Sequence, residues 1–365
     1  MTDLSATRTD ALAGRAAGTS ARGPEQRSRR RRSSVHAGQG VAGWLFVAPA
    51  LAILLLFLVI PIVLAFYVSL TRWDGFSSPF GGGATYVGLD NYKSLLTVDA
   101  LNRLSFARSV RNTFYFVLFV VPLQTALALF LAVLLNNRLL KGKGFFRTAF
   151  YFPSVTSSVA ITLVFLFLFQ GGGAVNRLLS FVGISGPNWT ADSSGVFHQA
   201  LSVVGVNSPP GWATHEVLSL SLWEWLAGPS VAMCVIITLV VWTTSGTFML
   251  MFLASLQNIS EEIEEAAEID GASTWQRFRL VTLPLLRPTL LLVLTLGVIS
   301  TWQVFDQIYL TGNNPATNTP AYLSYTQSFN DQAFGLGAAI AFMIFVLIVV
   351  LTVVQRKLLG TGEDY

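Results

Sequence analysis

Charge is what this 365-residue sequence has least of: Asp, Glu, Lys and Arg make up 12% of it, against 53% hydrophobic residues. That balance lies outside the range of ordinary soluble domains. Cysteine is nearly absent as well. The single Cys234 excludes an intrachain disulfide and any cysteine metal cluster. The three histidines, His36, His198 and His215, all fall outside the long apolar runs, and no His-x-x-x-His pair exists. No metal site, no cofactor and no catalytic nucleophile or acid/base pair is therefore visible, and an enzyme is not expected. A Gly-x-x-x-x-Gly-Lys-Ser/Thr phosphate loop is also missing, so any ATP-driven work must draw on another subunit. Nothing points to a nucleic-acid partner.

The missing charge is missing from continuous stretches. Residues 41–70 contain no charged side chain, and a helix needs only ~20 apolar residues to cross the hydrocarbon core. Its length and the lack of a small-x-small site after Leu70 favour an uncleaved anchor over a signal peptide. Similar runs cover residues 113–135, 148–169, 229–254, 289–310 and 335–354. An all-α membrane protein of about six spans results, with both termini on one side. Residues 1–36 hold eight arginines and little apolar surface, which predicts a disordered basic tail. Its Arg29–Arg32 patch reads either as a topology-setting flank or as a contact with lipid headgroups.

Lys and Arg near span ends favour the cytoplasmic side. Arg138, Lys141, Lys143 and Arg147 put the loop after the second run inside, and Arg356 and Lys357 do the same for the C-terminus. The N-terminal arginines agree. The outer loop 171–228 carries Arg177 against Asp192, Glu216 and Glu224. The first outer loop, with Arg72, Lys93, Arg103, Arg108 and Arg111, fits this orientation less well.

The inner loop 256–288 is the most informative segment. Asn258 with Glu261 predicts a capping box opening a helix near residues 260–270, and Gly271 stands where a left-handed residue commonly closes one. Ser273 with Gln276 predicts a second box, and Pro284 and Pro288 mark the passage into the next span. Ile263, Ala266, Ala267 and Asp270 share one face, with Glu261, Glu264, Glu265 and Glu268 largely on the other. Such a short amphipathic helix is suited to docking in a groove of another protein.

The run Glu265-Ala266-Ala267, then Gly271, then Val281-Thr282-Leu283-Pro284 resembles the EAA loop of binding-protein-dependent ABC importer permeases, with Val281 in place of the usual isoleucine. Gly88-Leu89-Asp90-Asn91-Tyr92, Asn112-Thr113, Ile269-Asp270-Gly271-Ala272, Trp275-Gln276-Arg277-Phe278 and Phe305–Thr311 resemble the carbohydrate branch of that family, the one containing maltose and glycerol-phosphate permeases. The resemblance implies a type I importer permease fold. It also implies a second permease subunit, two cytoplasmic ATP-binding subunits and an extracytoplasmic solute-binding protein as partners. Glu265, Ala266, Ala267, Gly271, Leu283 and Pro284 would form the contact with the ATPase. The pattern departs at Gly312-Asn313-Asn314-Pro315, and residues 192–216 of the outer loop look like an insertion.

Polar side chains within the runs are candidates to line a path for a carbohydrate, since unpaired polar groups facing lipid are costly. Trp302 and Asp306 stand at i, i+4 with Gln303 and Gln307 beside them, and Trp242 heads a polar group with Thr243, Thr244, Ser245 and Thr247. The other reading has these residues hydrogen-bonding to neighbouring helices or lying at the outer interface. An autonomous secondary transporter or channel is the alternative function. It would carry several intramembrane ionisable groups or repeated halves, and only Asp306 is of that kind.

Overall fold

The computed structural model describes residues 35–137, 140–312 and 314–359; the basic patch Arg29–Arg32 and Asn313 lie outside them. The chain divides into two units, residues 1–58 and 59–365. Among the described residues five helices are long and apolar enough to cross a membrane: α1 (Gly43–Ser69), α2 (Ala100–Asn136), α5 (Val231–Gln257), the run Arg287–Leu310 that is made of α8 and its continuation, and α11 (Phe334–Leu359). The remaining run is a pair, α3 (Lys143–Val155) and α4 (Ser158–Leu168), bent by 94°. Counted as one bent span, the pair brings the total to six.

The other helices named below are short. They are α6 (Glu261–Ile269), α7 (Thr274–Arg277), α9 (Asp306–Leu310) and α10 (Pro320–Tyr325). Helix α8 proper is Arg287–Trp302, and α9 continues its run after a break.

Helices α2 and α5 form the centre and run in the same direction. Near their starts Phe116 and Val120 pack on Met233, Ile236 and Val240. Near their ends Ala128 and Ala132 pack on Phe248, Met249 and Phe252, together with Leu286 and Val293. A third cluster joins α2, α8 and α11 through Phe106, Trp302, Ala339, Ile340 and Ile344.

Several motif residues hold the outer side together. Asn91 donates from Nδ2 to the carbonyls of Ser69 and Thr71, both at 2.8 Å. The Tyr92 hydroxyl lies 2.7 Å from Ser69 Oγ. Both contacts fasten the end of α1, which leads into a hairpin pairing Thr71–Trp73 with Ala84–Tyr86. Asn112 donates to the carbonyls of Pro315 and Asn318, 3.0 Å each, tying α2 to the loop before α10. The outer segment after α4 returns on itself: Gly195 bridges Ser230, and Val231 and Ala232 donate to the carbonyls of Ser194 and Asp192. Its two ends thus meet at the start of α5, and a small hairpin, Glu216–Val217 with Leu220–Ser221, lies between them.

Candidate functional site

The inner loop builds a helix pair. Helix α6 begins after Ser260, whose side chain makes no cap bond. The expected cap Asn258 instead terminates α5, its N–H donating to Leu256 and Ser255. The physical reason is that α5 runs one turn further than the hydropathy indicates, so Asn258 is spent on its end.

The other end of α6 follows the expectation. Gly271 has φ +76°, the N–H of Ala272 reaches the carbonyl of Ala267, and that of Gly271 reaches Glu268, both at 3.0 Å. This is the paired bonding of a Schellman stop. The second capping box is present in full, with Gln276 N–H on Ser273 Oγ and Ser273 N–H on Gln276 Oε1. Helix α7 then passes through a wide turn at Phe278–Thr282 into Leu283–Leu285 and α8. Pro284 and Pro288 both stand in first turns, where a missing N–H costs nothing.

Arg277 Nη1 meets Glu268 Oε2 at 2.9 Å and joins the two helices. Of the face Ile263, Ala266, Ala267 and Asp270, only Ala267 turns toward the protein, and the other three are exposed. Glu261, Glu264, Ala267 and Glu268 border a recess of about 830 Å³ beneath the ends of α2 and α5. Glu265, Ala266 and Gly271 are exposed, and Leu283 and Pro284 are half-buried. Large apolar side chains also face water here: Ile269 is 86% exposed and Trp275 67%, the latter stacked on Phe278 at 5.7 Å. Exposed apolar surface of this kind makes the loop a candidate contact surface, for another protein or for the membrane.

A second site lies where the third run breaks. Pro153 stands inside α3 and cannot donate to the preceding turn. Thr156 and Ser157 are extended, and α4 leaves at a right angle. The broken ends need polar partners. Ser154 donates to the Thr243 carbonyl at 2.6 Å and Thr156 to that of Phe152 at 2.9 Å.

Around this break is a cavity of about 460 Å³ between α3, α4, α5 and α8. Its lining includes Ser154, Thr156, Ser158, Thr243, Thr244, Thr247, Ser300, Gln303 and Gln307 and no charged residue. Gln307 donates to Ser158 Oγ at 3.1 Å, bridging α9 to α4. Behind the lining Gln124, fully buried on α2, accepts from Thr244 at 2.6 Å. Hydroxyl and amide groups without charge suit a neutral, hydroxyl-rich solute.

The structure divides the residues that the sequence groups together. Gln303 and Gln307 enter this cavity. Trp302 does not: α8 ends there, so the i, i+4 relation to Asp306 on one helix is lost. The Trp302 ring is 4% exposed in the α2–α8–α11 cluster. Asp306 opens α9 and is exposed, where its charge favours the helix dipole. Trp242 stacks on Phe165 of α4 at 6.0 Å and is not among the cavity residues. Sequence reading passed over Ser154, Thr156 and Ser158, although the stretch Pro153-Ser-Val-Thr-Ser-Ser158 is itself a breaker signal.

Comparison with known proteins agrees with this architecture. Similar proteins include the lactose transport system permease protein LacF of Rhizobium radiobacter, 32% identical over 89% of this chain and 96% of that protein. The trehalose/maltose transport system permease protein MalF of Thermococcus litoralis is 33% identical over 86% of this chain and 92% of its own. Among solved structures, a chain of a bacterial ABC transporter involved in the import of the acidic polysaccharide alginate shares the fold. It has a TM-score of 0.66 and 18% identity over 90% of this chain and 99% of that one. Residues 124–359, which hold both the helix break and the inner loop, match the family described as binding-protein-dependent transport system inner membrane component, and the chain belongs to that family.

Proposed function

We propose that this chain is the permease subunit of an ATP-binding-cassette importer for a sugar or oligosaccharide. The observation that carries the substrate class is the uncharged cavity at the α3–α4 break, where hydroxyl and amide groups are set among apolar side chains such as Ile161, Leu239, Phe248 and Leu296. Broken membrane helices offer free backbone groups together with side chains near the midplane, and that suits hydroxyl recognition. The names of the relatives LacF and MalF, a lactose and a trehalose/maltose permease, support the same class.

The remaining partners follow from the resemblance: a second permease, two ATP-binding subunits and an extracytoplasmic solute-binding protein. In this reading the segment from Glu265 to Gly271, the second half of α6 and its stop, seats in a cytoplasmic ATPase. Closure of the ATPases biases the spans only through contacts that differ between inward- and outward-facing states, and the exposed Ile269 and Trp275 beside Gly271 supply such contacts.

The test is to purify the chain from its own membrane in mild detergent, identify the companions by mass spectrometry and measure sugar uptake after reconstitution. A phosphate-loop ATPase and ATP-dependent uptake are expected. A lone chain from gently handled membranes would instead favour an autonomous channel or transporter.

Within such a preparation Gln303→Ala and Gln307→Ala are expected to lower uptake about tenfold, the cost of one lost hydrogen bond to a substrate that leaves its partner unpaired, with the subunits still associated. Uptake at the wild-type level in both variants would remove the cavity from the path. Trp302→Ala should behave differently. Truncating a buried tryptophan costs about 3–5 kcal/mol, so thermal stability falls, and uptake per folded molecule stays close to wild type. A selective loss of uptake at unchanged stability would return Trp302 to the path.

A further inference from the structure

Gln124 lies in the second half of α2, at the junction of α2, α5 and α8, and is fully buried. On the α5 side its Oε1 accepts from Thr244 Oγ1 at 2.6 Å. On the α8 side its Nε2 lies against Gly297, where a Cβ would come within 2.6 Å of it. Nε2 has no acceptor among the described residues. Both neighbours lead to the cavity at the helix break. Thr244 lines it, and so does Ser300, whose hydroxyl donates to the Gly297 carbonyl at 3.1 Å. Gln124 itself is not part of the lining.

The protons at this junction do not balance. Thr244 Oγ1 also stands 2.7 Å from the Val240 carbonyl, and a hydroxyl has one proton for two acceptors. Turning the amide over satisfies Thr244 in full, since the amide N–H then donates to Oγ1 and Oγ1 donates to Val240. Oε1 is then left beside Gly297 without a donor. In either orientation one polar atom of a buried amide stays unpaired, which is the costly case. An apolar side chain of the same length avoids that cost, because Thr244 keeps its bond to the backbone of its own helix. Stability therefore does not account for a glutamine at this position.

The amide does supply a second hold on Thr244. Tied only to Val240, the hydroxyl is free to turn between donating and accepting. Held from both sides, Oγ1 has committed its proton and one lone pair, and the other lone pair remains for a solute. We infer that Gln124 is a positioning residue that acts through Thr244, fixing that hydroxyl as the acceptor for a donor group of the solute in the cavity. This inference rests on the sugar-importer reading and adds to it a residue outside the cavity lining.

The test uses the complete reconstituted transporter with its solute-binding protein, with radiolabelled glucose, lactose, trehalose and maltotriose as probes. Kinetics are measured on each sugar that wild type takes up. Gln124→Met and Gln124→Leu are compared with wild type, with Thr244→Val and with the double variant Gln124→Met/Thr244→Val. Expected for Gln124→Met are a melting temperature in detergent at or above that of wild type, unchanged kcat and subunit composition, and a KM raised about fivefold, the size of one hydrogen bond. Thr244→Val should raise KM at least as much and, by leaving the whole amide unpaired, lower the melting temperature. The double variant should regain that temperature and show no KM rise beyond that of Thr244→Val, since the two residues act as one unit. Wild-type KM values in Gln124→Met and Gln124→Leu would overturn the inference. So would a lowered melting temperature in both, which would make the amide a structural contact, and so would KM rises that multiply in the double variant. Those three outcomes leave the importer reading standing; no sugar uptake by wild type overturns both.

Discussion

Gly271→Val is expected to insert in the membrane at the wild-type level, yet to lose most transport and to fail to retain the ATPase on purification. A substitution at glycine can carry two separate costs, steric and conformational. At Gly271 a Cβ would meet nothing within 4 Å, so crowding does not enter. What remains is the backbone: φ is +76°, and a side chain there costs about 1–2 kcal/mol, more for a β-branched one. Against the burial that holds the spans together this is small. Against the local equilibrium of a single exposed Schellman stop it is large, a factor of about 5 to 30 in population. The helix pair α6–α7 is thereby redirected while the membrane core is left alone. Gly271→Asn should retain most function, since asparagine tolerates the left-handed region. The idea is sunk if valine and asparagine behave alike, or if valine leaves both transport and ATPase retention intact.

The sequence made the spans legible where hydropathy alone decides, as in the charge-free run ending at Leu70 and the run of α11. Helix stops with their own chemistry were equally readable: the left-handed Gly271 and the Ser273–Gln276 box are local rules, and both appear in the structure. What the sequence obscured depended on where a helix stops within an apolar run. Residues 148–169 average out as one span because hydropathy does not register that Pro153 with Thr156 and Ser157 redirects the backbone. The end of α8 at Trp302 is hidden for the same reason, and with it the separation of Trp302 from Gln303 and Gln307. Gln124 escaped notice because a lone amide in an apolar run shows its role only once Thr244 stands opposite.

The other large effect is expected at Gly246, where the conformational and steric costs are reversed. Gly246 lies inside α5 with ordinary helical geometry, so alanine there should gain about 1 kcal/mol of helix propensity. Space decides against it. A Cβ would stand 2.5 Å from the Phe150 carbonyl, 2.5 Å from Ser154 Oγ and 3.1 Å from Tyr151 Cα. Two of these three atoms belong to the α3 backbone and cannot swing aside. Forced overpacking of this kind costs about 1–3 kcal/mol or more, enough to exceed the propensity gain. Gly246→Ala should therefore lower the melting temperature in detergent, and Gly246→Leu should yield little folded protein. Transport by the alanine variant should fall further than its stability alone explains, because the displaced helix carries Ser154, and Thr156 just past its end, of the cavity lining. Gly144→Ala is the control. It lies in the same α3 with nothing within 4 Å of its Cβ, so it should be neutral or slightly stabilising. If Gly246→Ala instead melts at or above the wild-type temperature, α3 and α5 do not approach as closely as drawn, and the cavity between them loses its frame.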